Sequence, residues 1–416
     1  MSERVTAVLR RLAELLGSTG RTTGIGRSVL RLQDLLEARL SIEDAGMALA
    51  EVLEGQARLL MPLEAGRAHR VREPSFTLAG LDSSSRHLET PPADIVVGTV
   101  SATFWRGLGF DWPSLGGGRL WLRGLPYIYI LPNDPDLAGR LEVNFATTVN
   151  PAGRPFDPDY SVHQALDEMR VSLENWALKT LAGEDLRPHA LLLDGPVFLV
   201  ARAVFDQVAV KYRDSWRALL QDRLDSVRLL EDKGVAVVGV VKRVERSRLL
   251  SVAAGIEALL SRCGLRVGAI GDRALIDAAL RLGCFKWRPG SILRSPKLRV
   301  RLGEGLEKIV EYVVVPLGGF NLSPATARVY RLEYTQRTLS ILKSRGLEPV
   351  HVFLADSVAR DSLEPVTIAS SDRRSSSITR ALRRMLASTL RAWGVPISYS
   401  SMVEVAEDWR EALAGS

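Results

Sequence analysis

Two apolar runs in this sequence each stop at a single aspartate. Phe76-Thr-Leu-Ala-Gly-Leu81 runs into Asp82 and then Ser83-Ser84-Ser85, and His189-Ala-Leu-Leu-Leu runs into Asp194, Gly195 and Pro196. Runs of this kind read as buried strands, and a buried strand admits a carboxylate only where it is paired, hydrogen-bonded or bound to a metal. The small residues that follow leave room for a ligand or an ion to approach the backbone. Taken alone, each aspartate also reads as the cap of the following turn or helix.

Further strand signals surround these two. Ile95–Phe104, Arg119–Leu131, Val235–Lys242, 308–317, 326–334 and Pro349–Leu354 are rich in branched and aromatic residues, and Gly116-Gly117-Gly118 reads as a loop. Helical spacing is expected from about His163 to Leu181, Asp206 to Lys233, 249–262, 336–345, Ser376 to Trp393 and Met402 to Leu413. Residues 1 to about 62 also read as helical, with a break over Gly17–Gly26 and a second stretch over Val29–Leu60. Strands alternating with helices predict an α/β fold with a mixed sheet flanked by helices. The expected division is a helical N-terminal arm over 1–73, a core with insertions over 74–362 and a C-terminal helical segment over 363–416.

The order of the acids narrows this further. Asp82 ends a first strand, two long strands follow, a helix carries Glu174, and a fourth strand carries Asp194. Glu174 has Val171, Ala177 and Leu178 three or four residues away, which puts it on an apolar side of its helix. That succession is the topology of a ribonuclease-H-like fold, in which such acids converge on two divalent ions that serve phosphodiester cleavage. Hard oxygen ligands favour Mn²⁺ or Mg²⁺.

Composition excludes some alternatives. No stretch approaches the roughly 18 uninterrupted apolar residues of a membrane span. The best candidate, Ala190–Phe205, is broken by Asp194 and Arg202. The two cysteines, Cys263 and Cys284, are too few for a disulfide framework or a zinc cage, which predicts a cytoplasmic location. Basic residues outnumber acidic ones, 55 to 48, and only eight of the 55 are lysines. Arginine's planar fork suits phosphate, so a polyanionic partner is one reading and a GC-rich or thermophilic source is the other.

The segments FTLAGLDSSS, MRVSLENWALKTL, ALLLDGPV and VAVVGVVKR resemble the ordered motifs of NurA, the archaeal DNA-end-resection nuclease family, in patches over about 76 to 356. The resemblance implies a ribonuclease-H-like core, a homodimer and Mn²⁺-dependent nuclease action on single- and double-stranded DNA ends. It also implies partnership with the HerA hexameric translocase, alongside Mre11 and Rad50. By resemblance Asp82, Glu174 and Asp194 fall on the family's metal-binding acids and Lys242 on its motif lysine, which would face a scissile phosphate. Asp272 in GDRALID resembles a motif acid and reads equally as a helix cap.

The C-terminal motif departs from the family's glycine-tyrosine-proline and alanine-histidine pattern. In Gly346-Leu-Glu-Pro-Val-His-Val-Phe-Leu-Ala355-Asp356, Asp356 takes the histidine's place and no tyrosine is near. Asp356 then reads either as a fourth metal ligand or as the mark of a site that has drifted, leaving a weakly active or inactive DNA-binding scaffold of a HerA complex. His351 alternates with core-facing residues and reads as structural.

Candidate DNA contacts are Arg294, Lys297, Arg299 and Arg301, which alternate with apolar residues, and Arg373, Arg374, Arg380, Arg383 and Arg384 near the C-terminal helix. With no zinc-finger spacing or base-reading motif, binding is expected to be directed at the backbone and independent of sequence. An actin- or sugar-kinase-like ATPase is a third class. It would need glycine-rich phosphate loops, and the dense glycine cluster at 116–118 sits between strands instead.

Overall fold

The computed structural model describes residues 3–18, 49–53, 58–63, 76–105, 109–113, 127–133, 146–157, 160–184, 187–199, 210–265, 270–282, 292–302, 306–316, 327–360 and 362–414. In chain order the elements are helix α1 (Glu3–Ser18), strands β1 (Leu49–Val52), β2 (Met61–Pro62), β3 (Leu78–Glu89), β4 (Ala93–Phe104), β5 (Gly109–Trp112), β6 (Tyr127–Pro132) and β7 (Ala146–Thr147), and helix α2 (Val162–Gly183). Strand β8 (Ala190–Asp194), helix α3 (Val210–Asp232), strand β9 (Ala236–Val241) and helices α4 (Glu257–Ser261) and α5 (Asp272–Arg281) follow. The chain continues through strands β10 (Leu293–Arg294), β11 (Leu298–Arg301), β12 (Glu307–Pro316) and β13 (Ala327–Tyr334). Helices α6 (Gln336–Lys343), α7 (Pro349–Asp356), α8 (Val366–Ala392) and α9 (Tyr399–Ala414) close it.

The strands form one mixed sheet, the α/β architecture expected from the sequence. Its path is β1-β11-β12-β13-β9-β8-β3-β4-β6-β7, with β5 beside β4, β10 beside β12 and β2 beside β10. At its centre β3 pairs antiparallel with β4 and parallel with β8, and β8 pairs parallel with β9. Strand alternation sends side chains to two faces. On one face Leu191, Leu193, Val96 and Tyr129 join the core under α2, α3 and α5. On the other, Leu192, Val238 and Val240 pack with α6 and α7, and Ile95, Val97 and Ile130 pack with α1 and α8.

The two helices nearest the acids approach the sheet at glycines. A Cβ on Gly98 would lie 2.6 Å from side-chain atoms of Leu173 and Met169 on α2, and one on Gly80 would lie 2.5 Å from the backbone of Thr367 and Ile368 on α8. Helix α8 has a divided buried face. Ser371, Ser375 and Thr379 lie over the polar stretch of β3, and Leu382, Leu386 and Leu390 lie over apolar residues further along. Each of those leucines contributes about 1.5–3 kcal/mol by burial. Helix α8 lies beyond the expected core boundary at 362, yet it packs on β3 and β4.

Four local expectations are corrected. Residues 349–356 are a helix, not a strand. Pro349 occupies the first turn, and Glu348 and His351 cap each other's backbone, so the helix starts firmly. It is buried on every side, which removes the helical periodicity that would distinguish it from a strand. Residues 49–52 are also not helical. They pair with β11, while Ala50 and Val52 bond the other way to Ala254. Between 249 and 262 only α4 is helical. Strand β3 does not end at Asp82 but continues to Glu89, because the serines find partners on the helix packed over the sheet: Ser83 Oγ donates to Glu174 and Ser85 Oγ to the Leu166 carbonyl, both on α2. Gly116–Gly118, Cys284 and most of the second helical stretch of the arm lie outside the described residues. Among those described, no helix is long and apolar enough to cross a membrane.

Candidate active site

Asp82 and Asp194 stand side by side. The parallel register pairs Leu81 with Leu193, so the next residue on each strand is an aspartate on the same sheet face. Asp194 is opposite Val240 on β9, and Lys242, two residues on, shares that face. The Lys242 ammonium lies 3.0 Å from Asp194 Oδ2 and 3.5 Å from Glu364 Oε2. Ser375 of α8 donates to Asp82 Oδ2 at 3.1 Å.

Glu174 comes from α2, on the other face, and both of its oxygens are held. Ser83 Oγ donates to Oε1 at 2.6 Å and the Arg223 guanidinium of α3 donates to Oε2. Arg223 is buried and also donates to Asn175 Oδ1, so one arginine fixes two neighbouring residues of α2.

The acids act on one another. The Asp82 carboxyl is pushed up to about 8, first by burial and then by the Asp194, Glu174 and Asp372 carboxylates. Asp194 is raised by burial, with Lys242 opposing and Glu174 and Asp372 reinforcing. Burial pulls Lys242 down, but the Asp194 and Glu364 carboxylates outweigh it and its ammonium is held above its ordinary range. This is an electronegative cradle of hard oxygen donors, chemistry that suits Mn²⁺ or Mg²⁺. Among the described residues no three His, Cys, Asp or Glu side chains form a ready-made metal cage. A cation would bring together carboxylates that in its absence repel one another.

Of the sequence candidates, Asp82, Glu174, Asp194 and Lys242 are therefore gathered. Asp356 is not. It is fully buried at the end of α7, where its Oδ1 accepts from Trp105 Nε1 at 2.7 Å and from Arg360 at 3.3 Å. Its Oδ2 accepts from the Thr367 amide at 3.0 Å and hydroxyl at 2.6 Å. Four donors occupy the carboxylate, which ties the start of α8 to α7 and to Trp105; Asp356 is a structural acid. His351 caps α7, accepting from the Glu348 amide through Nδ1 at 3.0 Å. Asp272 opens α5, buried, and accepts from Ser247 Oγ, the Tyr312 hydroxyl and the amides of Leu250 and Ser251.

Most of the DNA-contact candidates are engaged with the protein itself, while Arg373 is exposed on α8. Lys297 and Arg383 are only 4% and 3% exposed, so the structure removes both from a phosphate-binding surface. Lys297 pairs with Glu348, and Arg383 pairs with Asp408 and Glu404. Arg294 pairs with Glu348 at 2.9 Å, and Arg299 and Arg301 share Glu51 at 3.1 and 3.2 Å. Arg380 pairs with Glu411, and Arg384 donates to the Asp408 carbonyl and lies over the Trp409 ring. The single basic strand face expected over 294–301 is interrupted, because residues 295–297 separate β10 from β11. Arg374 clamps Asp111 with two hydrogen bonds, 3.0 and 2.7 Å.

Sequence reasoning passed over Asp372 and Arg223. Asp372 sits beside arginines that read as a basic patch, ahead of the helix expected from Ser376. The usable signal was Ile368, Ser371, Ser375 and Thr379 at helical spacing, a small polar face that only a polar sheet surface would receive. For Arg223 the signal is an arginine at helical spacing between Leu219 and Val227 on the buried stripe of α3.

The sequence profile of the NurA domain matches residues 76–376. A comparison with curated protein sequences gives no match. Among solved structures, the NurA nuclease from Sulfolobus solfataricus aligns with a TM-score of 0.43 at 10% identity, covering 94% of this chain and 98% of that one. A NurA bound to dAMP and manganese aligns with a TM-score of 0.36 at 9% identity, covering 75% of this chain and 85% of its own. A NurA with manganese aligns with a TM-score of 0.34 at 9% identity, covering 95% of this chain and 100% of its own.

Proposed function

The chain belongs to the NurA family, and from that premise we propose that it is a divalent-metal-dependent DNA nuclease whose site is built on Asp82, Glu174, Asp194 and Asp372. The observation that carries this reading is that the strand register sets Asp82 beside Asp194, where burial and then the Asp194, Glu174 and Asp372 carboxylates raise the Asp82 carboxyl. A structural role alone gives no reason to bring four acids from two strands and two helices to one place. The central strand order β6-β4-β3-β8-β9 supports a ribonuclease-H-like core.

When bound, Mn²⁺ or Mg²⁺, as one ion or a pair, supplies an activated water and neutralises the leaving oxygen. The chain's own residues do the holding. Asp82 and Asp194 offer oxygens from adjacent strands, and Ser375 fixes the rotamer of Asp82. Arg223 and Ser83 hold Glu174, so that the α2 carboxylate does not swing away. Lys242, beside Asp194, is placed to meet a phosphate oxygen and its developing charge.

In this reading the nuclease acts as a 5′–3′ exonuclease and single-strand endonuclease at DNA ends in the cytoplasm, as a homodimer with a HerA-type translocase and alongside Mre11 and Rad50. The test is to incubate the protein with labelled linear duplex and single-stranded DNA and Mn²⁺, with Asp82→Ala in parallel. Metal-dependent cleavage that the variant lacks is the expected result. Equal inertness of both proteins, with and without the translocase, would leave the scaffold reading in its place.

A further inference from the structure

Lys242 has a second carboxylate within reach besides Asp194. Its Nζ is 3.0 Å from Asp194 Oδ2 and 3.5 Å from Glu364 Oε2. Glu364 lies just ahead of α8 and its backbone is anchored: its amide donates to Ser362 Oγ, Ser362 Oγ donates to its carbonyl, and the Tyr330 hydroxyl donates to the Leu363 carbonyl. Its side chain is 42% exposed, against 23% for Asp194, so it stands at the rim of the cradle. Glu364 acts on Lys242 together with Asp194, and also on the nearby Tyr330 hydroxyl.

A divalent cation at Asp194 and the Lys242 ammonium seek the same oxygen, and two cations that close repel. Lysine carries its charge on a flexible four-carbon stem, while its backbone continues from β9 and stays with the sheet. Rotation near the tip of the side chain would close the contact to Glu364 and release Asp194. We propose that Glu364 is a positioning residue that receives the Lys242 ammonium when a divalent cation takes Asp194, an inference that rests on the metal-dependent site proposed above. Glu364 then keeps the ammonium at the edge of the site, facing an incoming phosphate, and lowers its competition with the cation.

The test is Mn²⁺ titration of the full-length protein without DNA, read by electron paramagnetic resonance, in a double-mutant cycle of Glu364→Gln and Lys242→Met. Thermal melts confirm that each variant is folded. Glu364→Gln is expected to weaken Mn²⁺ binding about two- to fivefold, the scale of a partly exposed ion pair. Lys242→Met is expected to tighten it, and Glu364→Gln made in the Lys242→Met background should change nothing further. An unchanged affinity in Glu364→Gln, or an equal loss in both backgrounds, overturns the proposal, because Glu364 would then act without Lys242. Failure of the metal-site reading itself looks different: the unsubstituted protein would bind no more Mn²⁺ than an Asp82→Asn/Asp194→Asn variant.

Discussion

Gly80 lies directly beneath Ile368: a Cβ on this glycine would come within 2.5 Å of the Ile368 amide nitrogen and of the Thr367 carbonyl carbon. Both obstacles are backbone, so the start of α8 would have to move as a unit. Asp82 is two residues from Gly80 and Asp372 is four from Ile368, so this contact sets how the two acids meet. Gly80→Ala should cost about 1–3 kcal/mol of stability, read from the urea midpoint, and should lower metal-dependent cleavage with it. Gly98→Ala is the milder change, because its obstacles are the side chains of Leu173 and Met169, and a methionine can yield.

Asp356 and Asp372 separate stability from chemistry. Asp356→Asn deprives a fully buried carboxylate of its charge and leaves one of its four donors facing an amide, at a cost of about 2–4 kcal/mol in chemical denaturation. Asp372 is exposed, and Asp372→Asn should stay within about 0.5 kcal/mol of the parent. Its cost falls on Mn²⁺-dependent cleavage, lowered about 10–100-fold. The opposite pattern in paired denaturation and cleavage assays would return Asp356 to the site.

The raised Asp82 carboxyl predicts how stability follows pH without metal. Its folded value of about 8 lies above the ordinary 3.8, so between those values the folded state holds the proton that the unfolded chain gives up. Stability from this group therefore falls as pH rises from about 4 toward 8. Glu168, pushed up to about 8 by burial, slopes the same way, so the measurement is the difference between the parent and Asp82→Asn. Denaturation midpoints from pH 5 to 9 should decline less steeply in the variant, and added Mn²⁺ should flatten the parent's decline by favouring the charged carboxylate.

The arginines divide by burial. Arg383→Ala removes a buried guanidinium and leaves Asp408, itself 5% exposed, without that partner, at an expected cost of about 3–5 kcal/mol. Arg299→Ala and Arg301→Ala break partly exposed pairs with Glu51 and should each cost about 0–1 kcal/mol. If the exposed pair also touches DNA phosphates, the double variant should flatten the salt dependence of DNA binding by about two counterions. A slope unchanged from the parent would remove Arg299 and Arg301 from the DNA path.

Much of the candidate site is legible because Asp82, Glu174 and Asp194 are each anomalies in their own segment: two carboxylates closing apolar runs and one on the apolar side of a helix. Burial of such groups has a high cost, and the sequence displays it locally. Asp356 misled for the same reason, since a buried acid ending an apolar run can as well be satisfied by Trp105, Arg360 and Thr367. Helix α7 misled because an element buried on all sides shows no period.

What the sequence determined by itself was therefore local: strand and helix types over most of the described chain, the alternation that makes a mixed sheet, and three acids with a lysine. Only the tertiary structure brought Asp372 into the neighbourhood of those acids and decided which arginines are committed to internal pairs and that Arg223 holds Glu174. The hydrogen bond from Ser375 to Asp82 spans 293 residues of chain. Periodicity reports which face of an element is buried, but the register that lays α8 on β3 is set by the close approach at Gly80 and by polar side chains meeting across it, and no local pattern encodes that contact.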